Sequence, residues 1–110
     1  MVRVFVVAAS LTLISAARAD NPILAADLVG RYWAYKDKCE SAFGALTKEE
    51  VGAISRIAGA LGYDANDSDA NSLAHESKTR HIISWVGKGE VTTCVETRVF
   101  LRGLAKKLLQ

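Results

Sequence analysis

The chain holds two cysteines, Cys39 and Cys94, and each falls on the apolar stripe of a stretch with helical periodicity. In Ile23–Phe43, the residues Ala25, Leu28, Tyr32, Tyr35, Cys39 and Phe43 recur at three- and four-residue spacing, with Leu24 and Val29 widening the stripe. At about 3.6 residues per turn they share one face, while Asp27, Arg31, Ala34, Lys38 and Ser41 fall opposite. In the last stretch Val91, Cys94, Val95, Leu101, Leu104, Ala105, Leu108 and Leu109 fit a second such face. Two inward cysteines on two core-facing helices are expected to form one bond, Cys39–Cys94, across 55 residues. Closing a loop of that length is worth about 4 kcal/mol on chain-entropy grounds. The whole net stability of a small domain is only about 5–15 kcal/mol. No C-x-x-C pair is present, so the pair reads as a structural staple and not a redox site.

A staple of this kind needs an oxidising compartment, and the start of the chain supplies the address. Met1-Val2-Arg3 is a short basic start, Val4–Ile14 is almost unbroken apolar sequence, and Ala17-Arg18-Ala19 offers small residues at a cleavage site. The run falls well short of the roughly 20 residues a membrane span needs. Residues 1–19 are therefore expected to be a cleaved secretory signal, leaving residues 20–110 as a single domain, exported to the periplasm or secreted. Asp20, and not cysteine, follows the site, which gives no sign of a lipid anchor.

Charge changes meaning once the signal is removed. The full chain has 14 Lys+Arg against 12 Asp+Glu, and Arg3 and Arg18 account for the excess. The mature chain is formally neutral, so its charge gives no ground for nucleic-acid or membrane binding. No stable membrane insertion is expected after cleavage.

Asn21-Pro22 suits the start of the first helix, and Gly44 its end. Thr47-Lys48-Glu49-Glu50 is a capping box, followed by Val51, Ile54, Ile57, Ala58 and Leu61 at helical spacing, with Gly62 as the stop. Gly52 and Gly59 weaken that helix and are expected to mark close approach to another helix. Tyr63–Ser72 is polar and acidic and reads as a loop. Leu73–Val86 has moderate helical character, with Ala74, Lys78, Ile82 and Trp85 on one face. The fold expected is all-α, a small four-helix domain with one disulfide. The alternative is α+β, with HIISWV and VTTCVETRVF as a C-terminal hairpin around Gly87–Glu90. The last apolar pattern runs nearly twenty residues, a length that favours a helix.

Few residues point to chemistry. Asp64, Asn66 and Ser68 alternate like the start of a calcium loop, but Asp69 stands where Gly is needed and His75 where a bidentate Glu is needed. They read better as turn formers and caps, and no metal site is expected. His75 and His81 are six apart and would leave a helix on different sides, so they do not pair as metal ligands. No Ser-His-Asp context, phosphate loop, zinc cluster or haem motif occurs, so no catalytic residue, no cofactor and no enzymatic activity is expected. A hydrolase using either histidine is the third-ranked reading. Arg98 and Arg102 lie beside the apolar sector of the last helix. Their stems can cover apolar surface while the heads pair with carboxylates; the sharper reading is an anion-binding pair. Trp33, at the edge of the first stripe, is the candidate anchor for a partner protein.

This outline of short signal, about ninety mature residues, helices and two distant cysteines is similar to that of periplasmic acid-stress chaperones. It also resembles periplasmic inhibitor and immunity proteins. The resemblance is one of layout and implies a protein-binding module whose partner is another envelope or secreted protein. The runner-up function is a small-ligand or anion carrier using Arg98 and Arg102.

Overall fold

The first helix begins where Pro22, already committed to helical φ, follows Asn21, whose side chain makes no capping bond. A computed structural model describes residues 21–109; the expected signal, residues 1–19, lies outside the described residues. All regular structure described is helical: α1 Pro22–Lys38, α2 Glu40–Phe43, α3 Lys48–Ala60, α4 Ser68–Trp85 and α5 Glu90–Leu109. The stretch expected to run unbroken to Phe43 is interrupted at Cys39 (φ −118°, ψ −29°), and α2 is the single turn that remains beyond it. Three attachments hold that turn. Cys39 is bonded to Cys94 of α5, Tyr35 Oη donates to the Gly44 carbonyl at 2.6 Å, and Arg98 Nη1 donates to the Phe43 carbonyl.

The capping box forms as written in the sequence. Thr47 N–H donates to Glu50 Oε1 at 2.8 Å and Glu50 N–H to Thr47 Oγ1 at 3.1 Å. At the far end of α3, Tyr63 N–H bonds Ala58 O and Gly62 N–H bonds Gly59 O. This is a Schellman closure, with Gly62 at the φ of +108° that it requires. The loop that follows is shorter than expected. Asp67 Oδ1 accepts from Asp69 N–H, and α4 starts at Ser68, so the last five residues of the segment read as loop are helical. The C-terminal hairpin does not occur: Gly87 and Gly89, both at positive φ, turn the chain between α4 and α5.

α1 is the centre of the domain and has two buried faces. One carries the expected stripe. Leu28, Tyr35 and Cys39 pack against α3 and α5, meeting Ile54, Ala58, Leu101 and Ala105, and Ala25 is also fully buried. Leu24, expected to widen the stripe, is 52 % exposed at the helix start. The opposite face, expected to be polar, is buried along Ala26, Gly30 and Ala34 against α4. Small residues at every fourth position let the α4 backbone lie directly on α1. A Cβ on Gly30 would sit 2.5 Å from the Ala74 carbonyl oxygen and 2.7 Å from the Lys78 nitrogen.

The buried face of α5 also differs from the expected one. Thr93 and Thr97 are buried with Cys94, Leu101 and Ala105, whereas Val91 and Val95 face solvent. Thr93 can be buried because its hydroxyl bonds back to the carbonyls of Gly89 and Glu90, both at 3.1 Å.

Candidate functional site

α4 packs on one side of α1 and α3 on the other, without extensive packing between α3 and α4. A cleft of about 400 Å³ is left above α1. Its floor is apolar, formed by Val29 of α1 with Ile54 and Ala58 of α3. Tyr32 and Trp33 project into it from consecutive positions on α1. The 63–67 loop and the first turns of α4 supply Tyr63 and Asn71, locked to each other by a Tyr63 Oη–Asn71 Oδ1 bond of 2.5 Å. Asn71 Nδ2 in turn donates to the Ala65 carbonyl at 2.7 Å. Ser55 and Gly59 form the edge on α3.

Trp33, the expected contact residue, is half-buried, and its ring lies 4.8 Å from that of His75 on α4. Tyr32 is buried to a similar degree, while Tyr35, one turn on, is fully enclosed. Burial, and after it the charge of Glu40, raises the Tyr32 hydroxyl above its ordinary range. Burial and then Asp64 do the same for Tyr63.

The α3 edge of the cleft is unusual. Neither Gly52 nor Gly59 has any atom of the described residues within 4 Å of where a Cβ would stand, so no described helix approaches them. The close approach expected at these two glycines occurs instead at Gly30. Together with Ser55 they give α3 an outward face of small residues beside the cleft.

A serine, an aspartate and a histidine do meet, on the α1–α4 seam. Ser77 Oγ donates to Asp27 Oδ1 at 2.8 Å, and His81 Nε2 lies 3.0 Å from the same oxygen. A nucleophilic triad places the imidazole between hydroxyl and carboxylate so that it can take the hydroxyl proton. Here the carboxylate stands in the middle, and Ser77 is 1 % exposed. The group docks α4; Lys78 Nζ, 3.6 Å from Asp37 Oδ2, adds a second attachment on the same seam.

The other expected positions are dispersed. Cys39 and Cys94 are bonded, with Cα atoms 5.5 Å apart. Arg98 is held by the Phe43 carbonyl, and Arg102 Nε lies 3.3 Å from Glu50 Oε2 of the capping box. The two guanidinium groups, one turn apart on α5, therefore serve different acceptors of this chain. Asp64 Oδ1 accepts from Asn66 N–H in a local turn, and Ser68 opens α4. Among the described residues no three His, Cys, Asp or Glu side chains gather as metal ligands would. Nor is any described helix long and apolar enough to cross a membrane.

Sequence reasoning missed Tyr63, Asn71, Ser55 and Gly59 as cleft residues, and the seam of Asp27, Ser77 and His81. The seam had a signal in the four-residue spacing of Ala26, Gly30 and Ala34; the cleft had one in two glycines on a helix that could not spare them. Comparison with protein-family models, with curated proteins and with solved structures finds no match to this chain. What the described residues define is an all-α domain of four long helices and one short turn, closed by a single disulfide.

Proposed function

We propose that this is an exported protein-binding module, and that its contact site is the cleft between α3 and α4. The observation that carries the reading is the open α3 edge. Each glycine inside a helix costs about 1 kcal/mol relative to alanine, and Gly52 and Gly59 incur that cost with no neighbour among the described residues to require it. Space of this kind, beside a half-open cleft lined by aromatic side chains, suits close approach of a segment from another protein. Half-buried aromatics such as Trp33 and Tyr32 give large contact area for little loss of side-chain freedom. The disulfide is compatible with life outside the cytoplasm, in the periplasm or beyond. The alternative, an anion carrier built on Arg98 and Arg102, would first have to take both groups from Phe43 and Glu50.

The test uses Gly59→Leu. A good helix former at an exposed helical glycine raises stability by up to about 1 kcal/mol, while its side chain fills the cleft mouth. Mature protein and variant are immobilised and challenged with an envelope extract. The variant should melt at the same or a higher temperature and lose the proteins retained by the wild type. A variant that retains them equally well removes the cleft from the binding site.

A further inference from the structure

The cleft has a charge character that its lining alone does not reveal. Three aromatic side chains face it, Tyr32, Trp33 and Tyr63, and no lysine or arginine lines it. The stretch that supplies Tyr63, Ala65 and Asn71 to it is acidic in sequence: between Ile57 and Ser77 stand Asp64, Asp67, Asp69 and Glu76, with no Lys or Arg among them. None of these carboxylates lines the cleft, and His75 of the same stretch lies against Trp33. At the other end Glu40 lies close enough for its charge to act on Tyr32, as Asp64 acts on Tyr63. Lys36 of α1, Arg56 of α3 and Lys78 and Arg80 of α4 do not line the cleft.

These features select among the groups that could enter. An anion would meet the negative faces of aromatic rings and the fields of Asp64 and Glu40, which act on Tyr63 and Tyr32, both repulsive. A plain apolar side chain would suit the floor but gain nothing from the mouth. A cation is attracted to an aromatic face within about 6 Å of the ring centroid, and Asp64 and Glu40, which act on Tyr63 and Tyr32, add attraction that salt screens. An apolar stem leading to a charged head matches the order of the surfaces, because long basic side chains lay their methylenes on apolar ground and keep the charge in a polar setting. A guanidinium has the further advantage of a planar face that stacks on rings.

We propose that the cleft accepts the arginine or lysine side chain of a basic partner segment, its stem over Val29, Ile54 and Ala58 and its charged head among Tyr32, Trp33 and Tyr63. This rests on the reading of the cleft as the contact site for a partner protein. Asp64 and Glu40 complement a partner segment with further basic residues beside the anchor.

The probes are two short synthetic peptides, one with a central arginine flanked by lysines and one with citrulline, the neutral isostere, in the arginine's place. Binding is followed by amide and indole resonances of the mature, oxidised protein, with Trp85→Phe used to assign the Trp33 indole. The arginine peptide should shift the Trp33 indole and the Gly59 amide, and the citrulline peptide should bind at least fivefold more weakly. Asp64→Asn and Glu40→Gln, both at exposed or half-exposed positions, should each weaken the arginine peptide by roughly twofold to fivefold, as expected of partly screened charges, and added salt should weaken it further. Equal binding of the two peptides, or shifts confined to residues away from the cleft, overturns the proposal. If Gly59→Leu abolishes capture from the extract while neither peptide binds the cleft, the docking reading stands and the cationic anchor falls. If the arginine peptide binds at Trp33 but Gly59→Leu leaves capture intact, the docking reading falls, and with it the partner proposed here.

Discussion

Gly30→Ala tests the α1–α4 seam most directly, because two effects of opposite sign meet at one position. In an exposed helix the substitution would stabilise by about 1 kcal/mol. At Gly30 the new Cβ would stand 2.5 Å from the Ala74 carbonyl oxygen and 2.7 Å from both the Lys78 nitrogen and the Ser77 Cβ. The first two are backbone atoms and cannot rotate aside. Ordinary contact begins at 3.4 Å, so α4 must withdraw by roughly 0.9 Å at that point. Overpacking of this sort costs about 1–3 kcal/mol. Withdrawal also stretches the bond from Ser77 Oγ to Asp27 Oδ1, now 2.8 Å, and the contact of His81 with the same oxygen, now 3.0 Å. Side-chain bonds of that kind contribute about 0.5–1.5 kcal/mol each.

The balance is a net loss of about 2–3 kcal/mol after the propensity gain. For a domain of this size each kcal/mol moves the melting temperature by roughly 4–8 °C, so the midpoint should fall by roughly 10–20 °C. Gly103→Ala is the control: it lies in α5, with no atom within 4 Å of the new Cβ, and should hold or raise the midpoint. Urea denaturation and thermal melting by circular dichroism read both variants, with the disulfide intact. If Gly30→Ala is as stable as the wild type, α4 does not rest on α1 as described, and the account of the second buried face is wrong.

Oxidised mature protein should show no free thiol on unfolding, and reduction should lower its stability by about 4 kcal/mol, the value for a 55-residue loop; two thiols recovered without reductant would refute the staple. High pH should weaken the fold. Burial and then Glu40 raise Tyr32, so its contribution is intact below the ordinary phenol range near 10 and is lost as pH climbs through the raised value. Melting between about pH 9 and pH 11 should fall less steeply in Tyr32→Phe than in the wild type, and an unchanged slope would remove Tyr32 as a cause. Hydrogen exchange should be faster along α4 than along α1, since α4 fully buries only Ala74 and Ser77 and elements with few buried contacts open first; equal protection would place α4 within the main core.

The sequence made the helices legible and the second face of α1 illegible, for one physical reason. Apolar periodicity reports burial against side chains, so Leu28, Tyr35 and Cys39 announced the face that meets α3 and α5. Ala26, Gly30 and Ala34 announce burial against a backbone, and on a hydropathy wheel small residues look merely neutral. Asp27 made the same face look solvated, because nothing in its neighbourhood names Ser77 and His81, fifty or more residues away, as its partners. The threonines of α5 failed in the same way: Thr93 reads as polar until its hydroxyl is seen to close on its own helix. The capping box and the Gly62 stop were legible because they are local, their donors and acceptors lying within five residues of each other. The cleft was partly legible. Trp33 marked its place, but Tyr63 and Asn71 looked like loop residues until Asp67 was seen to cap a helix from Ser68.

The seam and the cleft are not independent parts of the domain. α4 supplies one wall of the cleft through Asn71, and it also carries His75, whose ring lies against Trp33. What positions α4 is its docking on α1, through the small residues and through Asp27 and Asp37. The opposite wall, α3, belongs to the disulfide-closed side: it packs against α5, and Glu50 of its capping box also holds Arg102. One wall is therefore set by the disulfide-closed core and the other by a close seam in which the α4 backbone lies on Ala26, Gly30 and Ala34 of α1. The separation of the walls is fixed by how deeply α4 seats on that seam. The two glycines stand on the α3 wall, and the aromatic side chains lie on α1 and the loop between the walls.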